Sequence, residues 1–165
     1  MSSYPQLTAS ATAYEYDEYG LVNESKGTLY VKQDTGMAWH TEGEVIIIQD
    51  KGVWRYQKKL EQAIFYPHVP DMIKAISWLN QSAKNIASRY QIKHQNQCEV
   101  LTAYTGDEKI IICYENERPV SASWEKDSRK FAVSFSSFDI NTPVATKMVA
   151  PDFPANTDII YQGEI

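Results

Sequence analysis

The chain has 165 residues, a length that suits one domain (1–165) rather than two. Hydrophobic residues make up 43 % and aromatics 12 %, with eleven Tyr, which supplies a core and favours strands. The net charge of −5 argues against a phosphate-backbone partner, so no nucleic acid is expected, and no apolar run approaches the length of a membrane span.

Met1-Ser2-Ser3-Tyr4-Pro5 has neither a basic nor an apolar region, so it does not read as a signal peptide. A cytosolic protein and a protein whose signal has been removed both fit. Strand signals follow. Thr12 to Tyr16 alternates small and aromatic residues, and Asp17-Glu18-Tyr19-Gly20 reads as a turn. Gly27 to Gln33 sets Leu29 and Val31 against Tyr30 and Lys32. Met37-Ala38-Trp39-His40 is a short strand, and Glu44 to Gln49 is apolar on both faces. A tight turn at Asp50-Lys51-Gly52 leads into Val53-Trp54-Arg55-Tyr56, and Leu60 to Tyr66 pairs back.

The spacing predicts one helix from Asp71 to about Tyr90, after Pro70 and capped by Asp71. Met72, Ile76, Leu79, Ala83, Ile86 and Tyr90 recur at steps of four and three, a single stripe. Trp78 lies off it. Beyond the helix, Glu99 to Tyr104, a turn at Thr105-Gly106, and Asp107 to Tyr114 read as a hairpin. Pairing Tyr104 with Asp107 sets Cys98 opposite Cys113, although Gly106-Asp107 is an equally good loop. A cross-strand disulfide, implying an oxidising compartment, and two buried thiols are both open readings. Pro119 to Glu125 and Lys130 to Phe138 are further strands, with Phe131, Val133 and Phe135 on one face. The tail, with Pro143, Pro151 and Pro154, is extended. The count is roughly eight to eleven antiparallel strands.

Chemistry is hard to find. His40, His68 and His94 are scattered, and none has a partner at metal-ligand spacing. There is no Gly-rich phosphate loop and no nucleophile elbow. The expectation is no catalytic residues, no metal, no cofactor and no enzyme activity.

Several segments in order resemble LolA, the periplasmic carrier family for outer-membrane lipoproteins. Ala9-Ser10-Ala11-Thr12 looks like that family's first strand, with Ala11 where Phe is usual. Glu24-Ser25-Lys26-Gly27-Thr28-Leu29-Tyr30-Val31-Lys32 is similar to its E-x-x-G-x-L-W-V-K block, and Met37-Ala38-Trp39 sits where it shows an aromatic, one residue and Trp. Ile48 to Tyr56 resembles its D-G-x-x-x-W-x-Y hairpin. Phe138-Asp139-Ile140-Asn141 and Pro151 to Ile159 look like its closing strand and tail. Three departures stand out. Ser2 to Thr8 leaves at most one turn for the family's N-terminal helix, Gln33 replaces the Arg held to latch its lid, and the cysteine pair is not a family signature.

The resemblance implies an α+β, mainly antiparallel fold: an incomplete, half-open β-barrel covered by helix, of the LolA/LolB kind. It implies a periplasmic carrier that binds the acyl chains of lipoproteins or lipids in an apolar cavity, with an inner-membrane transporter and an outer-membrane acceptor as partners. Leu29, Val31, Met37, Trp39, Trp54, Met72, Ile76, Leu79, Trp124, Phe131, Val133 and Phe135 are the candidate cavity residues. The alternative is a lipid- or peptide-sensing regulatory module of the same fold.

Overall fold

The computed structural model describes residues 4–67 and 71–162. Twelve strands form one sheet: β1 (Gln6–Asp17), β2 (Gly20–Lys32), β3 (Gly36–His40), β4 (Glu44–Gln49), β5 (Gly52–Gln57), β6 (Gln62–Tyr66), β7 (Tyr90–Gln95), β8 (Cys98–Ala103), β9 (Lys109–Glu115), β10 (Arg118–Lys126), β11 (Arg129–Phe135) and β12 (Asp158–Tyr161). Their order is β12-β6-β5-β4-β3-β2-β1-β11-β10-β9-β8-β7. Two meanders thus meet where β1 pairs with β11, and the order is open at both ends. Every pairing is antiparallel except β12 with β6, which is parallel.

The strand count exceeds the expected range because Tyr90–Gln95, which starts at the end of the predicted helix, pairs with β8, and because the tail adds β12. β1 starts at Gln6, so Gln6 to Thr8 are strand and not helix. The turn before Gly20 forms as read, and β2 runs longer than expected, pairing with β1 along its whole length.

The single helix is corrected. Asp71–Ala75 and Ser77–Asn80 are 3₁₀ turns, Gln81 is extended, and a separate seven-residue helix α1 spans Ala83–Arg89. The 3₁₀ period of three explains the burial that an α-helical stripe could not. Ile73, Ile76 and Leu79 are three apart and buried, as are Ala75 and Trp78. The backbone N–H of Ile76 donates to Ile73 O and that of Leu79 to Ile76 O, each at 3.0 Å. Indole Nε1 of Trp78 donates to Ala75 O at 2.7 Å, satisfying its polar atom inside the core. The side chains of Asp71 and Met72, and all of His68, lie outside the described residues.

α1 begins afresh because Ser82 is extended and its Oγ accepts from Asn85 N at 3.2 Å. Ser82→Ala is expected to lower stability by about 1 kcal/mol, read from urea unfolding, whereas Ser82→Asp retains the cap and most of that stability. Equal loss in both variants would mean the cap contributes nothing.

The two faces of the sheet bury different partners. One face contributes Leu7, Leu29, Val31, Met37, Trp39, Trp124 and Phe131, among others, to the main core together with Ile73 to Leu79. The reverse face of β3 and β4 presents Ala38 and Ile47, which pack with Val144 and Val149 from the tail. That second cluster explains why Val45 to Ile48 is apolar on both sides. Polar contacts fasten the tail there. Lys32 Nζ donates to Val144 O at 2.9 Å, and His40 Nε2 lies 2.8 Å from Met148 O. A carbonyl can only accept, so His40 carries its proton on Nε2.

Cys98 and Cys113 face each other across β8 and β9 and are joined as a disulfide. Thr102 opposite Lys109 gives the register expected from a loop at Thr105-Gly106.

Candidate functional site

A cavity of about 390 Å³ lies where the first 3₁₀ turn approaches the main-core face. A smaller space of about 30 Å³ shares Ala13, Trp39, Ile46, Ile73 and Val133 with it, so the two read as one tapering pocket. Leu29, Ile48 and Ile76 complete the narrow end, which has only apolar side chains in its wall. The wide end adds Glu15, Asn23, Ser25, Glu44, Arg55 and Tyr66 to apolar residues such as Val53 and Phe131, so its wall is mixed.

Local sequence explains the space. β1 carries Ala9, Ala11 and Ala13 on alternate positions, each pointing to the core side. Small side chains on a central strand leave room that Phe131 and Val133 of the neighbouring β11 do not fill. Ala13 stands directly opposite both Val133 and Ser25. Trp39 closes one wall against β2. A Cβ at Gly27 would sit 2.4 Å from His40 O and 3.0 Å from Trp39 Cζ2, so glycine permits that approach.

Glu44 and Arg55 are diagonal neighbours on the β4–β5 hairpin, since Arg55 pairs with Ile46. Arg55 Nε donates to Glu44 Oε2 at 2.6 Å. This bond holds the guanidinium above its ordinary pKa, against the opposing effect of burial. The Glu15 side chain makes no hydrogen bond or ion pair among the described residues.

A second polar node fastens the 3₁₀ segment. Glu108 accepts from Tyr90 Oη at 2.9 Å, Trp124 Nε1 at 3.0 Å and Lys74 Nζ at 3.4 Å. Burial opposes its ionisation, but the bonds from Trp124, Tyr90 and Lys74 outweigh that effect and hold the carboxyl below its ordinary range. Burial, with the Glu108 bond, pushes the Tyr90 hydroxyl up to about 12.

Of the expected cavity residues, Leu29, Trp39, Ile76, Phe131 and Val133 come together around the pocket. Val31, Met37, Leu79, Trp124 and Phe135 belong to the same core but not to its wall. Trp54 is on the other face, packed against Phe153 and Phe65 with ring centroids 5.4 and 5.1 Å away. It stands opposite Ile47, one residue out of phase with inward-facing Val53. The Met72 side chain lies outside the described residues. Gln33 is exposed in the β2–β3 turn, where its backbone N–H donates to Pro5 O at 2.9 Å. Sequence reasoning missed Ala13, Ile46, Ile73, Glu44 and Arg55. The alternating alanines of β1 and the charged diagonal of the β4–β5 hairpin were the available signals. Among the described residues, no three His, Cys, Asp or Glu side chains are placed to hold a metal ion, and no helix is long and apolar enough to cross a membrane.

No family model and no curated protein matches the chain. Solved structures do. The fold is shared with an uncharacterised conserved protein of Thermus thermophilus, at 12 % identity and TM-score 0.57, over 98 % of this chain and 92 % of that one. Its neighbours include a LolA superfamily protein of Nitrosomonas europaea, at 9 % identity and TM-score 0.48, over 89 % and 90 % of the two chains. They also include a putative outer membrane lipoprotein-sorting protein domain of Vibrio parahaemolyticus, at 8 % identity and TM-score 0.40, over 85 % and 87 %.

Proposed function

We propose that the chain is a periplasmic carrier that binds acyl chains of lipoproteins or lipids and performs no chemistry on them. In this reading the sheet serves as an incomplete, half-open barrel and the segment from Asp71 to Arg89 as its cover. The tapering apolar pocket between Ile73, Ile76 and the strands is the observation that carries it. Its wide part falls within the roughly 300–1,000 Å³ range of small-ligand sites, and each CH₂ removed from water contributes ~0.8 kcal/mol. The disulfide suits an oxidising compartment. An inner-membrane donor and an outer-membrane acceptor are the partners that such a carrier requires.

Ala13→Trp tests the site, because a large ring there fills the pocket without placing a charge in it. The wild-type protein is expected to bind the fluorescent probe 1-N-phenylnaphthylamine and release it to an acylated peptide. The variant should bind both at least about tenfold more weakly, a loss of roughly 1.4 kcal/mol, with an unchanged circular dichroism spectrum. Undiminished binding by a folded Ala13→Trp protein would place the acyl site elsewhere.

A further inference from the structure

The shape and charge of the pocket narrow the ligand further. The narrow end, at about 30 Å³, has room for the end of one chain. The wide end is lined by charges of both signs. Arg55 holds Glu44 through Nε, and a guanidinium has five N–H donors in a planar fork suited to phosphate. Glu15 lines the same space, is half-buried and has no partner among the described residues. An unpaired carboxylate in a pocket wall favours a cation, and strand alternation puts Glu15 on the same core-facing side of β1 as Ala13. With Glu15, Glu44 and Arg55 together, a purely anionic head would meet more negative than positive charge.

We infer that the pocket takes a single-chain amphiphile with a zwitterionic head, its tail toward Leu29 and Ile76, its phosphate on Arg55 and its ammonium toward Glu15. This rests on the acyl-binding reading and specifies its ligand: a lysophospholipid with an amine-bearing head. A neutral glyceride lacks both charges, and a lysophosphatidylglycerol lacks the ammonium.

The test uses the full chain and four dodecanoyl probes below their micelle concentrations, with displacement of 1-N-phenylnaphthylamine as readout. The probes are lysophosphatidylcholine, lysophosphatidylethanolamine, lysophosphatidylglycerol and monododecanoylglycerol; a triacylated peptide is measured in parallel. The two zwitterionic lipids should bind about tenfold more tightly than lysophosphatidylglycerol, the scale of one charge-assisted contact. E15Q should erase that preference. R55Q should lower the affinity of all three phosphate-bearing lipids relative to monododecanoylglycerol, while E44Q, which releases the fork, should raise it. Opposite signs from the two partners of one ion pair are not what loss of structure produces. Equal affinities for the four probes in the wild type, or an intact zwitterion preference in E15Q, would overturn the inference. Binding of the triacylated peptide without any single-chain lipid would also overturn it while leaving the acyl-carrier reading standing. Failure of every acylated probe would end both.

Discussion

Replacing Trp124 with alanine is expected to destabilise the protein by about 3–5 kcal/mol, the range for truncating a buried aromatic. Trp124 is fully buried, faces Ile110 on one neighbouring strand and Phe131 on the other, and has its ring centroid 5.7 Å from that of Phe131. Lys74 Nζ lies 5.6 Å and the Arg129 guanidinium 5.9 Å from its ring centroid. Its indole also holds Glu108, so truncation leaves a partly buried carboxylate with one donor fewer. Trp124→Phe keeps most of the ring contact and removes only that hydrogen bond, so its cost should be smaller, about 1.5–3 kcal/mol. Urea unfolding of both variants checks the order. Equal losses would mean that the bond to Glu108, not burial of the ring, carries the stabilisation.

Gly27→Val should cost about 3 kcal/mol, at the upper end of overpacking effects. The backbone at Gly27 is not in the left-handed region, so the cost is steric. Its Cβ would stand 2.4 Å from a backbone oxygen, which cannot rotate away as a side chain could. The strand must separate from β3, and Trp39 must leave the pocket wall. Binding of 1-N-phenylnaphthylamine should therefore change along with stability. Gly43→Ala is the control: a Cβ there meets nothing within 4 Å, and its effect should stay within about 0.5 kcal/mol. Matching losses at the two sites would show that the contact with His40 and Trp39 is not the cause.

How far these features were legible depended on whether a local rule had a competitor. The β8–β9 hairpin was legible but its register was open between loops at Thr105-Gly106 and Gly106-Asp107, and the observed pairing, which brings Cys98 to Cys113, is that of the first. The resemblance likewise drew attention to Gly27, though only the close approach of His40 O gives that glycine a physical reason. The phase of β5 was not legible. β4 is apolar on both sides, so nothing local says whether Val53 or Trp54 faces the main core. The answer comes from the tail, which supplies Phe153 to the reverse face. The helix failed for a different reason. Steps of three and four fit an α-helix, but steps of three alone fit Ile73, Ile76 and Leu79 as 3₁₀ turns, and the misplaced Trp78 was the sign of it. The pocket was half-visible. Large apolar residues attract notice as cavity walls, whereas the space itself arises from the small residues of β1, which read as ordinary core.

β1 sits in the middle of the sheet although it comes early in the chain. Its partner on one side is its immediate successor, and on the other it is β11, so that residues 11 and 135 face each other. Each flanking meander can zip up from neighbours in sequence, with short loops to close. The β1–β11 seam instead requires closure of most of the chain, whose entropic cost must be met before its contacts stabilise anything. Topology alone therefore predicts two hairpin stacks with a late join. Ala13 and Val133, which line both ends of the pocket, stand opposite each other across that join. The pocket exists only where that join is made, so two half-sheets formed apart would lack it.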